Sequence, residues 1–397
     1  MLRDFRSQFW QPPRAHGDVI ENRTVSFLEL FYDLVYVVVI AVAARTLAGG
    51  ITRRSVGEFV VVFGLIWLAW FNGTVLHDLH GREDIRTRAF TFGQMVLIVV
   101  LAVYVGDAGG AGGRGFALVY AGFVALLLWL WYTVRRQDDD RFKSMTRRYL
   151  GFMAIAGLVM IGSAFLSDSR RMVVWAVLLG GWLMTLIVLG RAAEMITEQS
   201  FIVFDSTVER FGLFTIIVLG EVVVAVVDGL TEADRDLETI ATGLFALVIG
   251  FGLWWNYFDL AGRRLPRQDP GGSPIWMVSH FPLALSIAAA GAAMVGLIEH
   301  ATVDQAPAAT TWLLTGSTGL GLVVLAMILR TLQDYERLKA VYRPAVVTML
   351  VAAGAALLLG AWRPAPLVLA AALAAIQSLV WIFAISRQLA TNRHRSE

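Results

Sequence analysis

Hydrophobic residues occupy long continuous runs along almost the whole chain, separated by short polar segments. Stretches such as VLIVVLAV (96–103) and ALLLWLW (125–131) are apolar on every side of a helix, unlike the one-sided pattern of a soluble amphipathic helix. A bilayer core of ~30 Å is crossed by about 20 apolar residues in a helix. The pattern therefore predicts an all-α, polytopic membrane protein with about twelve transmembrane helices. The predicted spans are 26–48, 56–76, 89–106, 115–134, 149–166, 172–190, 209–228, 239–261, 276–298, 310–329, 343–361 and 366–387.

Composition agrees with a membrane protein and removes several classes of function. Of the 397 residues, 57% are hydrophobic and 16% are charged, which leaves too little charged surface for a soluble protein of this size. The absence of Cys excludes disulfides, thiol nucleophiles and thiolate metal sites. A net charge of +2 does not indicate a nucleic-acid partner. We expect the lipid bilayer as the main partner, and no pattern in the sequence calls for a cofactor.

Two segments half a chain apart resemble each other and predict an internal repeat. ELFYDLVYVVVIA (29–41) aligns with ERFGLFTIIVLGE (209–221), and WFN (70–72) aligns with WWN (254–256). Because each half has an even number of helices, the halves are predicted to be parallel, with a cavity or pore between them. The predicted divisions are a cytoplasmic segment 1–25, a first six-helix half 26–190, a connection 191–208, a second half 209–387 and a tail 388–397.

The basic residues predict the orientation in the membrane. Of the 33 Lys and Arg, 25 lie near the N-terminus, the even-numbered connections and the C-terminal tail, and 8 lie near the odd-numbered connections. Lys and Arg are enriched in cytoplasmic connections. Both termini are therefore predicted to be cytoplasmic.

The first predicted helix has a polar face. Glu29, Asp33, Tyr36 and Ile40 recur at helical spacing and share one side. An ionisable group within a span is costly unless it is paired or hydrated. The stripe therefore indicates a relay for protons or cations. The structural alternative is that Glu29 caps the helix and Asp33 pairs with an Arg elsewhere.

The seventh predicted helix has charged residues at two depths. Glu209 and Arg210 lie at its start, and Glu221 lies about three turns further in, with no basic residue within four positions on its own helix. We expect a partner or water from another part of the protein to stabilise the Glu221 carboxyl group. Its alternative role is an interhelical hydrogen bond.

Other polar residues interrupt the second and third helices of each half. Asn72 and Asn256 align with each other, Asp259 follows on the same face as Asn256, and Gln94 and His280 lie in the third helices. Each could belong to an ion or solute pathway, or form a hydrogen bond between helices.

A group of polar residues at the end of the second helix has spacing compatible with a transition metal. It contains His77, Asp78, His80, Glu83 and Asp84. Because the group is expected at the cytoplasmic end of the helix, we interpret these residues as interfacial polar residues and predict no metal site.

The segment ENRTVSFLELFYDLVYVVVIAVAA (21–44) resembles the signature of the bacterial low temperature requirement protein A family. The resemblance continues through the run with Asp84, Arg88, Gln94 and Met95, then ERFGLFTIIVLGE, WWNYFD (254–259) and SHFPLAL (279–285). It implies a bacterial inner-membrane protein linked by name to growth in the cold, and no established reaction. Its signature positions include Glu29, Asp33, Glu209, Arg210 and Glu221.

A shorter segment resembles a family of channels. Phe31-Tyr32-Asp33 is similar to the opening Phe-Ser-Asp helix of the two-repeat, six-helix potassium channels of lysosomes and bacteria. Here Tyr32 replaces the Ser, and the second half has Leu213 where the acid would recur. A symmetric selectivity filter is therefore not expected.

The sequence favours a transporter or permease for an unknown small solute or ion, with carboxylates linked to protons or cations. An ion channel of two six-helix repeats is the first alternative. A membrane enzyme acting on lipid precursors is the second, and it would need His77, His80 and Asp84 for chemistry. No hydrolase elbow, phosphate loop or dinucleotide fingerprint supports an enzyme. The oligomeric state stays open, a homodimer included.

Overall fold

A computed structural model describes residues 10–16, 23–82, 84–196, 203–234, 236–269 and 271–396. Within these residues the regular structure is helical apart from one isolated bridge between Pro266 and Leu332. The helices are α1 Phe27–Ala48, α2 Arg53–His80, α3 Ile85–Val105, α4 Gly113–Arg135, α5 Asp140–Ser163, α6 Asp168–Ile196, α7 Asp205–Glu232, α8 Leu237–Leu260, α9 Ser273–Glu299, α10 Ala308–Thr331, α11 Lys339–Trp362 and α12 Pro366–Ser396.

Several helix ends have recognisable capping residues. Asp84 accepts a hydrogen bond from the backbone N–H of Thr87 at the start of α3, and Asp236 does the same for Thr239 at the start of α8. α11 ends at Arg363, whose φ of 53° is left-handed, as is common for the residue after a helix. Most helices extend past the predicted apolar spans because their polar end turns are also helical.

Eleven of the twelve described helices are long and apolar enough to cross a membrane. The protein is thus an all-α, multi-pass membrane protein, as predicted. The exception is α5, because its first turns, from Asp140 to Tyr149, are polar and basic.

The described chain divides into two compact units. The first unit contains Met1–Ala43 and Gly57–Arg210, and the second contains Ala44–Val56 and Phe211–Glu397. The predicted domain limits and the internal repeat remain predictions.

Each unit has one deeply buried helix. In the first unit this is α2, whose Trp67 and Trp70 are fully buried. In the second it is α9, where a run of Ala and Gly replaces bulky side chains and allows close packing. These helices are the second and third of their predicted halves, so the burial pattern differs between the aligned positions.

Candidate functional site

The polar face predicted on α1 is buried in the structure. Glu29, Asp33, Tyr36 and Ile40 are at most 5% exposed. Phe31, Leu34 and Val38, on the other side of the helix, are more than half exposed, as expected for side chains that meet lipid. The 3.6-residue periodicity therefore identified the inward side of α1 correctly.

Asp33 forms an ion pair with Arg210, the sixth residue of α7. Nη2 of Arg210 lies 2.6 Å from Oδ1 of Asp33, and its Nε lies 3.4 Å from Oδ2. The indole N–H of Trp70 on α2 also donates to Oδ1, at 2.8 Å. Both charged side chains are 0% exposed. Such a pair must offset a large desolvation cost, and it does so here by directing two cationic donors and an indole at one carboxylate.

Glu29 has a capping role and a charge role together. Its backbone N–H donates to Oγ of Ser26, and its Oε2 accepts from the Ser26 backbone N–H at 2.9 Å, which is a capping box at the start of α1. Its Oε1 lies 2.5 Å from Nη2 of Arg23 and 3.7 Å from Nη1 of Arg210. Arg210 therefore lies between the carboxylates of Glu29 and Asp33.

A third carboxylate completes this network. Asp78, near the end of α2, lies 2.5 Å from Nη1 of Arg23 and accepts hydrogen bonds from the hydroxyl groups of Ser206 and Thr207 on α7. Sequence reasoning placed Asp78 only among interfacial polar residues and did not single out Arg23. A signal was present, since Arg23 belongs to the ENRTVSF part of the signature segment.

The Asp78 network and the Asp33 pair form one connected group in the first unit, which we call the charged cluster: Arg23, Glu29, Asp33, Asp78 and Arg210. It contains three carboxylates and two guanidinium groups. With every member ionised, the directly paired side chains have one negative charge in excess.

Gln94 on α3 lies beside Gly73 of α2 at the same level. An added Cβ on Gly73 would lie 2.0 Å from the hydroxyl oxygen of Tyr32 and 3.0 Å from Oε1 of Gln94. The Tyr32 and Tyr36 hydroxyl groups are 3.0 Å apart and hydrogen-bonded. The Tyr32 ring also contacts the His77 ring edge to face, with centroids 5.5 Å apart. The structure thus brings the predicted residues Tyr36 and Gln94 to the edge of the charged cluster.

The two aligned Asn residues form hydrogen bonds within and between helices. Asn72 donates to the Leu68 carbonyl at 2.7 Å and accepts from the hydroxyl of Tyr149 on α5. Asn256 donates to the Gly252 carbonyl at 2.7 Å and to the carbonyl and side-chain oxygens of Gln377 on α12, both at 3.1 Å. Both Asn side chains donate to the carbonyl four positions back on their own helix, and their contacts favour the packing role.

Asp259 and His280 also have protein partners, all in the second unit. Oδ2 of Asp259 accepts from the indole N–H of Trp381 at 2.7 Å. His280 contacts the Trp276 carbonyl through Nδ1 at 2.8 Å and the Tyr257 hydroxyl through Nε2 at 3.0 Å. None of these hydrogen bonds includes a residue of the charged cluster.

Glu221 and Glu209 have different environments. Glu209 is exposed, and its carboxylate has no hydrogen bond or ion pair within the described residues. Glu221 is 3% exposed, and its carboxylate has no hydrogen bond or close ion pair in the described part of the chain. The charges of Arg45 and Asp228, which pair with each other at 3.4 Å, act on it from a distance. The residue from another helix that acts on the Glu221 carboxyl group is therefore Arg45 of α1, and it does so through its charge at long range.

The polar group at the end of α2 does not form a metal site among the residues that the structure describes. His77 Nε2 contacts the hydroxyl of Thr91 at 2.9 Å, and His80 Nδ1 contacts the Arg14 carbonyl at 2.9 Å. Both His residues are buried within the protein. Glu83, the other acid of this group, lies outside the described residues.

The segment 10–16 packs over this end of α2. The Arg14 guanidinium donates to the carbonyls of Asp78 and Gly81, at 2.7 and 2.9 Å. His16 contacts Asp138, in the connection between α4 and α5, at 2.8 Å. Burial alone would raise the pKa of Asp138, but hydrogen bonds from His16 and Thr146 outweigh it, and the pKa is lowered.

Comparison with known proteins gives a family without a described activity. The sequence profile described as bacterial low temperature requirement A protein (LtrA) matches residues 24–379. A protein of Rhizobium meliloti (strain 1021), described as uncharacterized, is 27% identical over 295 residues, which cover 67% of this chain and 71% of that protein. No solved structure matches the chain.

Proposed function

The chain belongs to the bacterial low temperature requirement A family, and from this premise we propose that it is a transporter or permease of the inner membrane that couples solute movement to a proton or monovalent cation. The helical architecture supports an inner-membrane location, since spanning proteins of the bacterial outer membrane are typically barrels. The family description mentions a low-temperature requirement, and reduced membrane transport in the cold is one way such a requirement could arise.

The observation that supports the proposal is the uneven charge of the charged cluster around the buried Asp33–Arg210 pair. An ionisable residue inside the membrane is expensive, and a fully paired cluster would explain it as structure alone. Here three carboxylates share two guanidinium groups, so the cluster has room for one further positive charge. A proton or monovalent cation supplies that charge and weakens the attraction between Asp33 and Arg210. A change of occupancy is thereby converted into a change in the contact between α1 and α7.

The enzyme alternative is not favoured by the contacts. Asp84 is engaged by the backbone N–H groups of Gln11 and Thr87, and His80 by the Arg14 carbonyl. These bonds stabilise the corner between α2 and α3 and the segment 10–16. They give these residues a structural role without invoking lipid chemistry.

The test is charge movement in proteoliposomes that contain the purified full chain. Electrometry on a solid-supported membrane would record currents on addition of Na⁺, K⁺, small organic cations, organic acids and neutral polar solutes, from pH 6 to pH 8. We expect a pH-dependent current with one of these classes for the wild type, and its loss or loss of pH dependence in Asp33→Asn.

Asp334→Asn is the matched control, because Asp334 pairs with Arg264 and accepts from the Tyr342 hydroxyl between α10 and α11. It removes an Asp–Arg pair outside the charged cluster and should leave the currents unchanged. Wild-type currents with unchanged pH dependence in Asp33→Asn would contradict the proposal, as would a wild-type protein silent towards every class.

A further inference from the structure

Several buried polar atoms beside the charged cluster have no hydrogen-bond partner in the described part of the protein. They are both amide atoms of Gln94, Nδ1 of His77 and Nη1 of Arg210. Gln94 and Arg210 are 0% exposed and His77 is 5% exposed. A buried polar atom without a partner destabilises a protein, and does so more strongly in a membrane interior. Four such atoms around one tyrosine ring indicate that something polar satisfies them.

The position of Gly73 shows how close these groups are. Since one added Cβ would lie 2.0 Å from the Tyr32 hydroxyl and 3.0 Å from Oε1 of Gln94, these two oxygens are no more than 5.0 Å apart. Only glycine at position 73 permits this approach of the tyrosine hydroxyl to the α2 backbone. Tyr32 therefore presents its hydroxyl between Tyr36 on one side and the amide of Gln94 on the other.

The hydrogen bonds of Thr91 define the tautomer of His77. The Thr91 hydroxyl donates to the Thr87 carbonyl at 2.8 Å, so its oxygen accepts from His77, 2.9 Å away. The proton of the neutral imidazole is then on Nε2, and the unpartnered Nδ1 is an acceptor. Nδ1 of His77 therefore needs a hydrogen-bond donor. The amide of Gln94 needs both a donor and an acceptor, and a water molecule can serve as either.

A small cavity reaches His77 from the end of α2. Its volume is about 30 Å³, and its wall includes His77, His80 and Arg86. Its rim contains the half-buried Gly81 and Thr87. Most of the wall is apolar, but a cavity of this size accommodates about one water molecule, and His77, His80 and Arg86 offer it polar groups. His77 thus lines this cavity and also contacts the ring of Tyr32.

We propose that bound water molecules connect this cavity, past His77, Tyr32 and Gln94, to the Asp33–Arg210 pair, and that the connection is the proton pathway of the charged cluster. The ligand is water, and the transferred species is a proton. A hydronium ion at the cavity passes its excess proton from each bound water molecule to the next, while His77 and Gln94 hold these molecules by hydrogen bonds. Asp33 ends as the carboxylic acid and the water is regenerated. This inference rests on the proposed function only for its transport role; the presence of the water is independent of it.

The test of the water is radiolytic labelling of the full chain in proteoliposomes. X-rays convert bound water to hydroxyl radicals, which modify adjacent side chains even when these are buried, and mass spectrometry locates the modification. We expect Tyr32 and His77 to be modified severalfold faster than Tyr120, which is similarly buried but donates its hydroxyl proton to the Leu65 carbonyl. Equal, slow modification of Tyr32 and Tyr120 would overturn the inference.

Gln94→Leu separates a water site from a packing defect, because leucine has a similar size and no polar atoms. We expect severalfold slower modification of Tyr32 in this variant and a similar loss in the rate of pH change inside vesicles loaded with a pH-sensitive dye. If Gln94→Leu has a higher melting temperature than the wild type and Tyr32 is modified at the same rate in both, the inference is overturned. Rapid modification of wild-type Tyr32 without any solute-driven current would retain the water and reject the proposed function.

Discussion

At the scale of single residues, Arg210 connects the features of the first unit. It lies between Asp33 and Glu29, and its guanidinium carbon is 5.8 Å from the centre of the Tyr32 ring. Sequence analysis singled out both Asp33 and Arg210, and one of its two alternatives paired Asp33 with an Arg. It could not join the two, because 177 residues separate them and no local pattern reports which faces meet.

Arg210→Met should destabilise the protein by about 3–5 kcal/mol, because it leaves buried carboxylates without their cation. The double variant Arg210→Met, Asp33→Asn should lose less free energy of unfolding than the two single variants together. The neutral amide of Asn no longer needs the cation, and its oxygen still accepts a hydrogen bond from Trp70. The measurement is a double-mutant cycle on unfolding in detergent. Additive losses would show that the two side chains are not coupled.

At the scale of elements, the apolar pattern predicted the helices better than it predicted their contacts. All twelve predicted spans overlap a described helix, because the need to bury backbone polar groups in lipid makes long apolar runs helical. The segment 10–16 was predicted only as part of a polar cytoplasmic N-terminus. Its contacts depend on Arg14 and His16 meeting backbone carbonyls and a carboxylate far along the chain, which periodicity does not encode.

The contact of this segment with Asp138 should make stability depend on pH. Because the folded-state pKa of Asp138 lies below its ordinary value of 3.8, its carboxylate stabilises the fold fully above that value. This stabilisation is lost as the pH falls through the lower folded-state pKa. Asp138→Asn should therefore lower the melting temperature at pH 7, with the difference from wild type shrinking below about pH 3.8.

The neighbouring Asp140 gives the control for this effect. Its side chain is exposed and contacts only Lys143 among the described residues, one turn further along α5. Asp140→Asn should change the melting temperature little at either pH. If the two variants behave alike, the His16–Asp138 contact does not stabilise the protein.

At the scale of the whole molecule, α5 decides how many times the chain crosses the membrane. Its second half alternates between buried Met153, Ala156 and Met160 and exposed Ile155 and Leu158, so an apolar outer side faces away from the protein. This pattern favours a lipid-facing span, although the polar first turns exclude α5 from the eleven helices that are apolar enough over a full length. With twelve crossings both termini lie on one side, and with eleven they lie on opposite sides.

The lack of Cys makes this question measurable, because any introduced thiol is the only one in the chain. Exposed connections offer four positions: Ala111, Asp139, Asp304 and Glu336. If all twelve helices cross and the termini are cytoplasmic, a membrane-impermeant maleimide should label Ala111→Cys and Asp304→Cys in intact cells. It should label Asp139→Cys and Glu336→Cys only in inverted vesicles. If α5 does not cross, the two positions after it exchange sides while the two before it do not. Labelling of Glu336→Cys from outside together with Asp139→Cys from inside would therefore reject the twelve-span topology and, with it, two parallel halves of six spans.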